Sequence, residues 1–415
     1  MTAVPRQAGE PNLRFVVYWR QADWGFYGRR NEALARSLAA HPAVRDVLHL
    51  ECVSLRGLLA TALRAVAARD RGMRTAYWRQ LRKAVARRPV TVAPGLRVKS
   101  LRVLGFTGPA LVVRLNRWWL RRQLAPLQHP APTALLCYPP APYQDEVADS
   151  IPASSLLADL VDDVPAQERD PVRRRRKAAA FVALLPRCGA VFATSQRLAE
   201  RYGDAAPSGI EFLPNGVRTD GAEPAPSSRR GGRRPRVGYA GTFNATLDQG
   251  LLEHLLAWNP NVDFVLIGPA AGAAAGFLRR MQERYGNCRY LGRKQHDELR
   301  EHLAGCDVLV NLKRADEITR GNDSLKIYEY LATGKPVVST PMAPADRLRD
   351  VVYTATHAPD FQQALRRALE ENDPALVARR RVVAADNGWD RRAARIVARV
   401  QGLAAPLDGR RERVV

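Results

Sequence analysis

Cysteine is scarce in this chain, with five in 415 residues and no C-x-x-C pair among them. Cys52, Cys137, Cys188, Cys288 and Cys306 each adjoin an apolar segment. They read as buried thiols, which excludes a disulfide framework or a zinc knot. Long apolar runs are also missing, none approaching the roughly 18 residues of a membrane-spanning helix. The opening residues MTAVPRQAGEPNL lack the basic, apolar and small-residue order of a secretory leader, so a cytoplasmic protein is expected. No G-x-x-x-x-G-K-[ST] loop occurs, which excludes ATP hydrolysis by a P-loop, and no His/Cys/Asp cluster has the spacing of metal ligands. Acids are scarcest in residues 56–122, where 17 Lys/Arg stand against one acid, Asp70, and supply +16 of the formal net charge of +24. Such a block attracts polyanions: nucleic acid, an anionic membrane surface or phosphate-bearing small molecules.

What is present suits a globular α/β protein. With 46% hydrophobic and 26% charged residues, a chain of this length favours two domains over one. RFVVYW reads as a buried strand, RQADWGFYGRR as a glycine-containing loop and NEALARSLAA as a helix. VRDVLHLE, TALLCYPP, SSLLADLVDD and GAVFATS supply further strands, each followed by polar or turn-forming residues. RTDGAEPAPSSRRGGRRP has almost nothing to bury and reads as a linker. The alternation then restarts with RVGYAGTF and continues through VDFVLIGP, CRYLG, DVLVNL and PVVST. The expected domains are 1–218, a linker over 219–235, and 236–385, with a helix and tail over 386–415 packing back toward the first domain. Two such halves predict mainly parallel sheets, with ligands at the carboxyl ends of the strands and chemistry in a cleft between the halves.

Two stretches of the second half carry chemistry. In VGYAGTFN, Gly241 and Thr242 follow a strand end, where glycine lets backbone N–H groups approach an anion, although the spacing does not fit G-x-G-x-x-G. In GNDSLKIYEYLATGKPVVSTP, residues 321–341, Asn322, Asp323 or Ser324 can cap a helix that begins near Leu325. Lys326 and Glu329 then fall in its first turns, where an anion meets free N–H groups, the helix dipole and an ammonium. A diphosphate beside Lys326 and the paired hydroxyls of a ribose beside Glu329 are a sensible division. The plainer alternative is an amphipathic helix whose Lys and Glu face water.

Together with PNGV and LGRKQHDELREHLAGCDVLVNL, these motifs resemble the nucleotide-sugar glycosyltransferases of the GT-B fold, nearest to family 4-type and teichuronic-acid-biosynthesis-type members. The resemblance is specific over 236–342, looser over the first half and faint between about 56 and 109. It implies two Rossmann-like parallel-sheet domains and a donor site in the second. By that resemblance Glu329 is the ribose-binding second Glu of a Glu, seven residues, Glu motif, whose first position is Gly321 here. Ser324, Leu325 and Lys326 match diphosphate contacts, Arg293 and Lys294 lie near the base or phosphates, and the loop from Gly25 to Arg29 matches one that closes on the diphosphate. Inverting members use a first-domain carboxylate or His as general base, which makes Asp159, Asp162 and Asp163 of LADLVDDV the candidates, one of them raised by like-charge repulsion. His129 is a poor alternative in its loop before Pro130. No D-x-D tripeptide occurs, so no metal or other cofactor is expected, and Lys326, Arg293 or Lys294 would neutralise the leaving diphosphate.

The implied reaction moves a sugar from a nucleoside diphosphate to an acceptor hydroxyl of a glycan, a lipid-linked molecule or a small molecule. Members of the family often act at the cytoplasmic membrane. LLATALRAVAARDRGMRTAYWRQLRKAVARR and RLNRWWLRRQL, with Trp78, Trp118 and Trp119 among arginines, suit an anionic lipid interface. Nucleic acid is the competing polyanion, without a recognised motif to support it. A nucleotide-sugar sensor that binds donor without transfer is a third possibility, raised by Gly321.

Overall fold

The structure, a computed structural model, describes residues 12–25, 28–68, 71–218, 233–270, 272–294, 296–316, 319 and 322–404. Two compact units emerge, one comprising the chain up to Leu213 and again from Trp389, the other Pro214–Gly388. Residues 219–232 of the expected linker lie outside the described residues. The division falls ahead of the expected 218 because PNGV belongs to the second unit: the Asn215 N–H donates to the Asp323 carboxylate at 2.7 Å.

The first unit is built on eight strands: β1 (Leu13–Trp19), β2 (Val44–Ser54), β3 (Val90–Ala93), β4 (Leu96–Val103), β5 (Thr133–Cys137), β6 (Ser155–Leu160), β7 (Ala190–Ala193) and β8 (Ile210–Phe212). Their order is β3-β4-β2-β1-β5-β6-β7-β8, with β3 and β4 antiparallel and the other neighbours parallel. Nearly every residue of β1 is buried, as expected of a parallel strand covered by helices on both faces. The order reverses between β1 and β5, and a topological switch point of this kind opens a crevice at the carboxyl edge of an α/β sheet. The helices are α1 (Arg30–Ala40), α2 (Leu55–Ala67), α3 (Arg71–Val85), α4 (Ala110–Leu124), α5 (Gln144–Ser150), α6 (Pro171–Val182) and α7 (Gln196–Tyr202).

Strands β3 and β4 were not legible in the sequence, because LRVKSLRV carries charges into the interior. Lys99 is buried yet donates at 2.6 Å to the carbonyls of Ala86 and Arg87, just beyond the end of α3. That position satisfies an ammonium which burial pushes down to about 8.

The second unit has six parallel strands, β9 (Arg236–Ala240), β10 (Asp263–Ile267), β11 (Cys288–Tyr290), β12 (Val308–Asn311), β13 (Val337–Ser339) and β14 (Tyr353–Thr354), in the order β11-β10-β9-β12-β13-β14. Its switch point lies between β9 and β12. The helices here are α8 (Gln249–Trp258), α9 (Ala273–Arg284), α10 (His296–Ala304), α11 (Leu325–Ala332), α12 (Ala358–Glu370) and α13 (Pro374–Asp386). Helix α14 (Trp389–Ala404) returns to the first unit and packs on α1. All five cysteines are free and buried, as read from their apolar neighbours. Among the described residues no helix is long and apolar enough to cross a membrane.

Candidate functional site

Helix α11 begins at Leu325, as expected, but the side chain of its N-cap residue does not cap it. Ser324 occupies the N-cap without a side-chain hydrogen bond, and its own N–H donates to the Ala343 carbonyl at 2.9 Å. The buried Asp323 carboxylate is engaged elsewhere. It accepts from the Asn215 N–H, from the Tyr328 hydroxyl at 3.2 Å and from Arg347 at 3.3 Å, while the Asn215 amide donates to the Asp323 carbonyl at 2.8 Å. The capping expectation is thereby corrected. Asp323 and PNGV hold the helix start from outside, and Ser324 leaves the first-turn amides uncapped by its own side chain.

One turn further on, the buried Tyr330 hydroxyl accepts from the Ala240 N–H at 2.8 Å and donates to the Ala240 carbonyl at 3.2 Å. This fixes α11 against the carboxyl end of β9. Lys326 is thus laid over Tyr239, its Nζ 2.9 Å from the phenol oxygen and 4.2 Å from the ring centroid. Gly241 follows with φ +153°, and a Cβ there would overlap the Lys326 ammonium. At the end of β10, Gly268 has φ +142°, and its Cβ would overlap the Gly241 carbonyl oxygen. Two neighbouring strand ends therefore exclude side chains, leaving bare backbone beside an ammonium. Thr242, next in the chain, is exposed.

Glu329 lies three residues after Lys326, on the same helix face. Both side chains are half-buried by area but enclosed by protein. Burial lowers the Lys326 ammonium to about 7, and Glu329 only partly opposes it. Burial likewise raises the Glu329 carboxyl to about 7 against the pull of Lys326. Burial also lifts the Tyr239 phenol to about 12. A desolvated ammonium resting on an aromatic ring, with Glu329 only partly offsetting its burial, would gain from the charge of a bound anion.

Two groups here escaped sequence reasoning. Tyr239 gave no signal beyond its place in a strand. Lys313, immediately past β12, lies near enough to Tyr239 to oppose the rise of its pKa. Lys313 pairs antiparallel with Leu247, and the Arg314 N–H donates to the Thr246 carbonyl at 2.9 Å. The segment after β12 is thus joined to the loop after β9 across the switch point. Arg293 and Lys294 follow β11, beyond Gly292, whose carbonyl accepts from the Gly268 N–H at 2.8 Å. Lys294 also pairs with Glu298 at 3.5 Å. Gly321, at the first position of the carboxylate motif, lies outside the described residues.

In the first unit the three candidate carboxylates separate. Asp159 is fully buried in β6 and accepts from Arg30 Nε at 2.7 Å and Nη2 at 3.1 Å, a core ion pair closed to an acceptor. Asp163 accepts from Arg201 and the Tyr202 hydroxyl, both at 2.8 Å, and from the Ala166 N–H at 3.1 Å, which fixes the turn. Asp162 alone is about a third exposed, 3.8 Å from Arg20. Each carboxylate has its own cation, so the expected repulsion between them is replaced by separate pairing. The Gly25 N–H donates to Glu32 at 2.8 Å, with φ +82° at Gly25, while Phe26 and Tyr27 of that loop lie outside the described residues. His129 accepts from the Ala131 N–H at 3.0 Å in a turn. Glu51 also went unnoticed: fully buried at the end of β2, it meets Lys83 and Ser100, each at 2.7 Å, and the Trp24 N–H at 3.3 Å.

Residues 234–371 match the family model described as Glycosyl transferases group 1, which bears out the likeness to glycosyltransferases read from the motifs over 236–342, without reaching the family 4-type subdivision. Both units share their fold with GT-B structures. The UDP-forming α,α-trehalose-phosphate synthase of Burkholderia vietnamiensis aligns at 14% identity over 95% of this chain and 99% of that one, TM-score 0.65. Sucrose-phosphate synthase of Thermosynechococcus elongatus aligns at 16% over 94% and 99%, TM-score 0.65. Anabaena HepE, solved in complex with UDP, aligns at 14% over 94% and 100%, TM-score 0.61. At these identities the likeness is one of fold. No curated protein matches the chain by sequence.

Proposed function

We propose that this chain, a GT-B protein carrying a group 1 glycosyl transferase domain, transfers a sugar from a nucleoside diphosphate to an acceptor hydroxyl. The observation that carries this reading is Lys326, desolvated on Tyr239 beside the bare backbone of Gly241 at the sheet's switch point. In this reading the diphosphate lies against Lys326, the amide of Leu325 and the Gly241 turn. Glu329 takes the ribose hydroxyls as a two-oxygen acceptor. Arg293, Lys294 and Lys313 add positive charge along the same edge. As the leaving diphosphate gains charge, these fixed donors stabilise it. Asp162, the carboxylate left open, takes the acceptor proton.

The deciding experiment is a thermal-shift screen of nucleotide sugars, followed by turnover of whichever donor binds. A donor at about 100 times its Kd should raise the melting temperature by roughly 5–10 °C. Asp162→Asn should lower turnover while donor affinity stays within about twofold. If no nucleotide sugar or nucleoside diphosphate shifts the protein, the reading fails. Tight binding without turnover on any acceptor would instead leave a sensor.

The two shifted groups fix a pH signature. Lys326 titrates near 7 when free, and a bound anion raises it. Above pH 7 binding must therefore take up a proton, and affinity falls by up to about tenfold per unit. Glu329 also titrates near 7 and accepts hydroxyls best when ionised, so affinity for a nucleoside diphosphate falls below pH 7 as well. The expected profile is a bell centred near 7. In Glu329→Gln the acid limb should shrink to that of the nucleotide's own terminal phosphate, and the alkaline limb, without the carboxylate that raises Lys326, should move to lower pH, read by isothermal titration of UDP or GDP.

A further inference from the structure

Helices α2, α3 and α4 contain no acidic residue. On α2 the side chains of Leu55, Leu59, Leu63 and Val66 are 46%, 61%, 61% and 74% exposed. Their spacing of four, four and three residues makes one continuous stripe. On α4, Leu111, Leu115 and Trp118 repeat the pattern with 65%, 44% and 54% exposure. The two stripes have a common origin in the sheet. Ser54, the last residue of β2, pairs in register with Val103, the last of β4. Leu55 and the exposed Leu104 thus leave neighbouring strands about 5 Å apart, and the exposed Phe106 follows before α4.

Arginine accompanies each stripe. Arg56 and Arg64 are exposed on α2, as are Arg114 and Arg122 on α4. The Arg122 guanidinium lies 4.5 Å from the centre of the Trp118 ring, an arrangement suited to a depth where water meets hydrocarbon. α3 packs along α2 and adds the half-exposed Trp78.

We propose that the outer faces of α2 and α4, with the turn over 104–109, dock on an anionic lipid bilayer. The leucine and tryptophan rows enter the headgroup region while the arginines meet lipid phosphates. Two aliphatic stripes of this extent have no use on nucleic acid, which needs phosphate contacts and stacking aromatics. A second copy of the chain would bring an equally cationic face against this one. The proposal goes beyond sugar transfer and does not rest on it.

The test is co-sedimentation of the full-length protein with vesicles of phosphatidylcholine alone and of phosphatidylcholine with phosphatidylglycerol. The mixed vesicles should retain the protein at least about tenfold better, and high salt should release it. A triple variant, Leu59→Glu, Leu63→Glu and Trp118→Glu, should lose at least about tenfold in partition with its circular dichroism and nucleotide affinity unchanged. Equal retention by neutral and anionic vesicles, or unchanged partition of the triple variant, overturns the proposal. So does a dimer in sedimentation velocity that the triple variant splits, or salt-sensitive oligonucleotide binding without vesicle retention. Either result would give this face to another partner.

Discussion

Lys326→Met is expected to lower affinity for UDP or GDP by roughly 30–150-fold, the loss of about 2–3 kcal/mol that accompanies removal of a charged donor from a diphosphate. The same change should raise the melting temperature of the ligand-free protein. An ammonium whose folded pKa lies near 7 rather than its usual 10.5 is disfavoured by the fold whenever it is charged. Between pH 7 and 10.5 the unfolded chain binds more protons at this position, so the ligand-free protein gains stability as pH rises through that window. Methionine keeps the stem over Tyr239 and removes the charge, so the gain should be largest at and below pH 7. Relief of about 1 kcal/mol corresponds to roughly 2–4 °C. Melting curves with and without nucleotide from pH 6 to 10 check both parts. A variant that melts lower without ligand yet binds UDP normally would make Lys326 a structural residue and remove the diphosphate from this position.

The second large effect concerns Asp159. Arg30→Met leaves a fully buried carboxylate without its two-point partner, and breaking a buried pair from one side costs about 3–5 kcal/mol. The melting temperature should fall by roughly 10 °C. The Arg30 guanidinium also lies 5.9 Å from the centre of the Trp389 ring at the start of α14, so protection of α14 from hydrogen exchange should fall with it. The double variant Arg30→Met/Asp159→Leu removes both charges and should recover most of the loss, because two apolar groups of similar volume need no counter-charge. If Asp159→Asn instead left the melting temperature unchanged and abolished turnover, Asp159 would be the catalytic carboxylate and Asp162 would not.

Much of this architecture follows from local pattern. Strands such as RFVVYW and DVLVNL are apolar because both faces of a parallel sheet are covered, and burial of that kind shows directly in composition. The start of α11 at Leu325 and the shared face of Lys326 and Glu329 follow from helix geometry alone. So does the striping of α2 and α4, although periodicity does not say whether a stripe faces the core or water. Burial resolves this: Ala65 alone among the α2 residues is buried, and the leucine stripe faces out.

Partner choice is where the sequence stops. Arg30 finds Asp159 across 129 residues, and Asn215 finds Asp323 across 108. No spacing rule connects such pairs, so three aspartates that look alike in LADLVDDV acquire different roles only when β6 and α7 are packed. β3 and β4 were hidden for the same reason, since a buried Lys99 is tolerable only once the carbonyls beyond α3 are in place to receive it. By itself the sequence determined the alternating α/β order, the buried thiols and the residue types at the strand ends. Tertiary packing decided which charges are neutralised in the core and which, like Lys326 on Tyr239, remain desolvated with a carboxylate that only partly compensates. Electrostatic pairing depends on distance through space, and only folding sets that distance.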